Sequence, residues 1–295
     1  MEAHGGELRL NRQVEEIVIE GGRAVGVRVR RARGGQAGEE LEEHRADLIV
    51  SNAGAANTWL RLVPAAHRPP LVASLEGFLE GEPEVAHVSA YVGFRRDPRE
   101  LGFRGENHWL YRGFDHEATW AARDSWLAAR AAPMAYLSFP SLKDPDADGH
   151  TAEVLGLCGQ RPFAGWRGTP WKRRGEDYEE LKHQATEALL DLVEERRPGF
   201  RAAVDFVELS TPLTTEDMTG HRRGVIYGLP ATAPRFDRRN AGWGFPRTPI
   251  PGLYQTGADA GSLGLMGALQ GGLLTLSHLP GGVSMPQAVA AARRS

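Results

Sequence analysis

The chain has 295 residues, 41% of them hydrophobic and 25% charged, with a formal net charge of -3. That length and apolar content suffice for two domains with ordinary cores, and basic residues scattered rather than clustered give no reason to expect a nucleic-acid partner. A single cysteine excludes an intramolecular disulfide and, with an opening Met1-Glu2-Ala3-His4-Gly5-Gly6 that has no apolar leader, fits a cytoplasmic protein. The longest uncharged run, residues 260–277, is too rich in glycine for a membrane span, which leaves peripheral association with a membrane as the one membrane role to expect.

Taken in order, residues 2–6 resemble the end of a helix with its glycine stop, with almost no helix before it. Residues 7–10, 14–19 and 24–29 read as three short strands, the last two joined by a Glu20-Gly21-Gly22-Arg23 hairpin turn. A polar turn is expected over 31–40. Residues 46–54 then read as a continuous apolar strand finishing in Ser51-Asn52-Ala53, the small polar end of a parallel strand that meets a ligand.

From residue 59 to 229 the composition shifts to aromatics, prolines and alternating patterns, which predicts an inserted domain. Strands are expected at 85–94, 107–111, 134–139 and 152–158, in a mixed or antiparallel sheet, with a helix over 117–131. The strongest helical pattern covers 176–197, where Tyr178, Leu181, Ala185, Leu189, Leu192 and Val193 share one face before Pro198-Gly199. Residues 206–216 read as a strand ending in a capped turn.

The stretch that organises the chain lies near its end. Residues 253–256 read as a short buried strand, Gly257-Ala258-Asp259 as a turn, and Gly264 onward as a helix. Five glycines fall between Gly261 and Gly272. Each costs about 1 kcal/mol relative to alanine inside a helix, so a neighbouring backbone or a flat ligand must press against them. The free N–H groups of such a helix start suit an anionic or electron-rich group, and a cofactor is expected there.

Several motifs in series carry a family resemblance. They are "GGELRLN", the "AVGV" hairpin, "ADLIVSNA", "RRGEDY" leading a helix, "STPLT", "GVIYGL" and "TPIPGLYQTGAD". Together they resemble the phytoene desaturase, retinol saturase and carotenoid isomerase family of flavin oxidoreductases, at both ends and in the middle of the chain. The resemblance implies an α/β fold with an α+β insert: an incomplete Rossmann-like FAD-binding domain (1–58 and 230–295) around an inserted mixed-sheet substrate domain (59–229). It is incomplete because the family's G-x-G-x-x-G turn is not in these residues; Gly261-x-x-Gly264-x-x-Gly267 has a different spacing.

The same resemblance implies FAD as cofactor. Val14 would lie by the adenine and Ser51, Asn52 and Ala53 near the dinucleotide. Gly257 and Ala258 would form the turn at the cofactor, with Asp259 facing its ribitol or pyrophosphate. The N–H groups of Leu265, Met266 and Gly267, after Gly264, would lie near the pyrimidine side of the flavin. The implied chemistry is hydride exchange at flavin N5 with a long apolar, polyene substrate such as a carotenoid or retinoid, which needs no obligatory side-chain acid or base. No catalytic residue is assigned. The rival reading is a truncated, non-catalytic member that binds an apolar ligand or a partner chain without holding FAD itself. A separate N-terminal chain or a membrane surface is the further partner implied.

Other residues have bland alternatives. Tyr227 and Trp243 would line an apolar substrate channel or serve as core aromatics. Cys158, at a strand end with no base to pair with, reads as an inert core thiol rather than a nucleophile. His221-Arg222-Arg223 reads as a solvated turn. No H-x-x-x-H and no cysteine pair occur, so no metal site is expected.

Overall fold

A computed structural model describes residues 2–33, 36–81 and 85–292. In chain order the strands are β1 (Arg12–Glu20), β2 (Arg23–Arg33), β3 (Gln36–Arg45), β4 (Ile49–Ser51), β5 (Ala86–Phe94), β6 (His108–Tyr111), β7 (Met134–Ser138), β8 (Thr151–Cys158), β9 (Val204–Ser210) and β10 (Leu253–Gln255). The helices are α1 (Leu71–Gly81), α2 (His116–Ala121), α3 (Trp126–Ala129), α4 (Glu176–Arg196), α5 (Phe200–Ala203), α6 (Pro212–Thr219), α7 (Gly264–His278) and α8 (Met285–Ala292). They form two compact units, residues 1–82 with 227–295 and residues 83–226.

The first unit contains two sheets. In one, β1, β2 and β3 run antiparallel, with Val14 opposite Val29 and Ile17 opposite Val27. Ile17 and Ala24 pack into the core of this unit, and Val18 and Val29 are also buried. The outer face is a ladder of charges in which Arg28 pairs with Glu16 and Glu43, and Arg45 with Glu20 and Glu43. Each exposed pair contributes at most about 1 kcal/mol, but opposite charges across strands fix the register. The expected turn over 31–40 is therefore mostly strand: β3 begins at Gln36, and residues 34 and 35 lie outside the described residues. Residues 7–10, expected as a strand, are not one. Leu8 and Leu10 are 61% and 68% exposed, and alternation without a partner strand leaves the backbone groups to water.

The second sheet is the parallel pair β10 and β4, with Leu253 opposite Ile49 and Gln255 opposite Ser51. The long strand expected over 46–54 shrinks to three residues because β10 offers no more partner than that. The core of this unit gathers Trp59, Leu62, Val63, Leu75, Phe78, Trp243, Ile250 and Leu253. Trp59 and its neighbours, assigned to the insert by composition, are thus packed in the first unit, which runs on through α1.

The second unit is a five-stranded sheet in the order β6-β7-β8-β5-β9, antiparallel throughout. Even-numbered residues of β5, from Ala86 to Phe94, and Ala152, Val154 and Cys158 of β8 face a core shared with α4. That helix buries Tyr178, Ala185, Leu189, Leu192 and Val193, as its periodicity requires. The helix expected over 117–131 is broken into α2 and α3, with Asp115 capping the first and Arg130 ending the second in the left-handed region. Trp126 from α3 and Phe103, Phe139 and Phe200 complete the core. Leu189 touches no solvent and lies against Gly156 of β8, so Leu189→Ala is expected to lower stability by about 2–5 kcal/mol in a denaturant titration.

Candidate functional site

The chain leaves β10 beside the end of β4, where the Thr256 N–H donates to the Ser51 carbonyl at 2.9 Å. Asp259 then turns inward. Its Oδ2 accepts from the Ala55 N–H at 2.8 Å and its Oδ1 from the Leu229 N–H at 2.9 Å. The Arg235 guanidinium stands 3.6 Å from Oδ1, and the Asp259 and Arg235 side chains are 5% and 4% exposed. Arg235 also donates to the carbonyls of Leu229 and Ala258. Burial pulls the guanidinium's pKa below its ordinary value, and the Asp259 charge opposes that pull. The expectation that Asp259 faces a ribitol or pyrophosphate is corrected by this geometry: both carboxylate oxygens are turned to Ala55, Leu229 and Arg235.

The glycines divide into two groups. A methyl group at Gly261 would run into the Gly267 carbonyl, one at Gly267 into the Ser262 carbonyl, and one at Gly271 into the Gly257 carbonyl. These positions answer to backbone packed on backbone. Thr275 extends the same stripe, its hydroxyl placed between the Gln255 and Gly271 carbonyls at 2.8 and 2.7 Å. Gly264 behaves differently. It sits at φ 77° at the helix start with open space where a Cβ would be. Among the described residues no side chain caps α7, and its first N–H groups have no intrahelical partner. Leu265 is 87% exposed, and Met266, Leu269 and Leu276 also stand open. Thus α7 buries only Gly267, Gly271 and Thr275 among its fifteen residues, leaving an apolar face around an open N-terminus.

The other expected residues scatter around this point. Gly257 is buried, with the side-chain oxygen of the exposed Asn52 standing where a Cβ would be, and Ala258 lends its carbonyl to Arg235. The hydroxyls of Ser51 and Thr58 lie 2.7 Å apart inside the unit. Ala53 is half-buried against the core, and Val14 packs on the same core from β1. Tyr227 is exposed. Trp243 is not a channel residue: it is buried, stacks on Phe78 at 4.6 Å, and donates its indole N–H to Ser74. The structure sets Asn52 against Gly257, leaves Gly264, Leu265 and Met266 open at the start of α7, and turns Ser51, Asp259 and Trp243 to structural use. Arg235, the partner that holds Asp259, has no mark in the sequence, because a lone arginine in a proline-rich loop looks like any solvated charge.

Elsewhere, Cys158 is buried, and burial together with the Asp124 carboxylate pushes its thiol pKa far up. Among the described residues no three His, Cys, Asp or Glu side chains gather as a metal site, and no helix is long and apolar enough to cross a membrane.

No family model matches the chain. It is 30% identical over 286 residues to the all-trans-retinol 13,14-reductase of Rattus norvegicus, covering 93% of this chain and 46% of that one. It is also 30% identical over 291 residues to a protein of Danio rerio named as an inactive all-trans-retinol 13,14-reductase, covering 94% and 46%. A phytoene desaturase of Cereibacter sphaeroides is 27% identical over 74% of this chain and 38% of its own length. Among solved structures, an oxidoreductase from Methanosarcina mazei superposes with a TM-score of 0.51 at 17% identity, over 92% of this chain and 50% of that one. The chain thus shares its fold with about half of that structure. The chain is a relative of the phytoene desaturase and retinol saturase family, and it spans about half the length of the curated relatives it matches.

Two outcomes follow from this geometry. Asp259→Ala strands the Arg235 charge and is expected to cost about 3–5 kcal/mol in denaturant titrations, with much of the loss recovered when Arg235→Met is added. Cys158 should resist a water-soluble disulfide reagent in the native protein and react once the protein is unfolded.

Proposed function

We propose that the chain is part of an FAD-dependent oxidoreductase, of the desaturase, saturase or isomerase type, acting on a long apolar polyene such as a carotenoid or retinoid. The observation that carries this reading is the open, uncapped N-terminus of α7 at Gly264, Leu265 and Met266, following β10 in a chain related to retinol reductases and a phytoene desaturase. The residues fit one edge of a flavin. A bound flavin would supply hydride exchange. The first N–H groups of α7 would stabilise negative charge on the pyrimidine edge, by about 0.3–2 kcal/mol. Leu265 and Met266 would keep water from that edge, and residues 83–226 would hold the substrate.

The rival reading is a truncated, non-catalytic member that binds an apolar ligand or a partner chain without holding FAD itself. It is supported by the apolar face of α7 and by Val50, which stands exposed on β4. An apolar ligand or a separate N-terminal chain would cover these residues. A membrane surface is the other cover to test for.

Titration of the purified chain with FAD separates the two: a bound visible flavin band supports the enzyme, and a chain that stays colourless supports the rival. If FAD binds, Leu265→Asp should weaken it about threefold to tenfold by setting a carboxylate against the flavin edge. Its thermal melt should not move, because the side chain is exposed.

A further inference from the structure

The sheet of the second unit ends in β6 on one side and β9 on the other. Edge strands present unpaired N–H and C=O groups, and charged side chains along them discourage pairing with another chain. β9 has such charges in Asp205 and Glu208, and Asp205 accepts from the Arg95 guanidinium at 2.8 Å. β6 has no carboxylate, lysine or arginine: it reads His108-Trp109-Leu110-Tyr111, with Trp109 59% exposed.

The hydrogen-bond phase decides which β6 groups face outward. Just past the strand, the Arg112 N–H donates to the Pro133 carbonyl at 3.0 Å, in the same register that sets Leu110 opposite Ala135 and His108 opposite Leu137. Even-numbered residues therefore bond to β7, and Trp109 and Tyr111 turn their N–H and C=O groups to the open edge. The Tyr111 carbonyl accordingly accepts from the Arg196 guanidinium at 2.7 Å, and it has a second lone pair to offer. Asn107, two residues before Trp109, has the same phase.

The residues around Trp109 are complementary to themselves. An antiparallel copy related by a two-fold axis through Trp109 sets that residue opposite the partner's Trp109, Asn107 opposite the partner's Tyr111, and Glu106 opposite the partner's Arg112. Trp109 then exchanges both backbone hydrogen bonds with its mate, and Asn107 does so with Tyr111. Glu106 and Arg112 form an opposite-charge cross-strand pair at each end. Glu106 now accepts from the Arg104 N–H and stands 3.2 Å from the His108 ring, while Arg112 donates to Glu195 and to the Ala132 carbonyl. A carboxylate has about four acceptor positions and a guanidinium five donors, so both retain capacity for a further partner.

We propose that the β6 edge pairs with the β6 edge of a second copy of this chain, extending one sheet into the other across a two-fold axis at Trp109. The interface is isologous, so each copy contributes both charges. The two indoles meet beside Tyr136, whose ring already lies 4.9 Å from that of Trp109. The pairing is independent of the flavin and polyene readings.

In sedimentation equilibrium of the full chain, the dimer fraction should rise across about 1–300 μM, since so short a strand gives a reversible contact with a Kd of about 1–100 μM. Trp109→Lys sets two ammonium groups against each other at the axis and should leave monomer throughout. Glu106→Lys puts like charges at both ends and should raise the Kd about tenfold, less so in high salt. Oxidation supplies a second readout. Residues of a hydrogen-bonded pair have Cα atoms about 5.5 Å apart, within disulfide reach, so Trp109→Cys should cross-link to its copy, whereas Asn107→Cys lies away from the axis and should not. Native Cys158 is buried and takes no part. A wild type that stays monomeric over the whole range overturns the proposal. So does a dimer that survives Trp109→Lys, or a Trp109→Cys chain that cross-links no better than Asn107→Cys; either places the contact on another surface, such as the apolar face of α7.

Discussion

The first unit depends on one buried ion pair. Asp259 and Arg235 are each almost fully enclosed, and through them three separated pieces of chain are joined: the segment after β4 at Ala55, the loop at Leu229, and the turn after β10 at Ala258. A buried charge is tolerated only when paired and hydrogen-bonded. Every group that satisfies this pair is therefore held in place, and most of those groups are backbone. The turn that brings the chain to α7 is one of them, so the ion pair fixes where the open helix start stands.

Glycine does the second part of that work. The stripe Gly267, Gly271 and Thr275 lets α7 lie directly on the strand and turn before it, and the cost of glycine in a helix is offset by contacts that no larger residue permits. Backbone packing accounts for Gly261, Gly267 and Gly271, whereas Gly264 and Gly272 have open space where a Cβ would be. The bulky residues of the helix, Leu265, Met266 and Leu269, then point away from the core. A helix that buries its small residues and exposes its large ones has a second surface to satisfy, which both functional readings use.

Much of the second unit was legible because its signals are local. The alternation in β5, β7 and β8 and the helical period of α4 each report burial on one side. The failures are non-local. β3 is almost wholly polar and pairs through cross-strand charges, so hydrophobic patterning passes over it. Residues 7–10 alternate correctly but find no partner. Trp59 and Trp243 look like insert and channel residues by composition, yet the indole N–H of Trp59 donates to the Trp243 carbonyl inside the first unit.

By itself the sequence determined the kinship to flavin oxidoreductases, the strand, turn and glycine-rich helix near the end, and the need for something to press on those glycines, because motif order and glycine cost are written in consecutive residues. Only the tertiary structure decided which glycines meet backbone and which meet open space. It also turned Asp259 inward to Arg235. Those outcomes depend on pairings between distant segments, and a carboxylate or a guanidinium carries no mark in sequence of the partner that folding will bring to it.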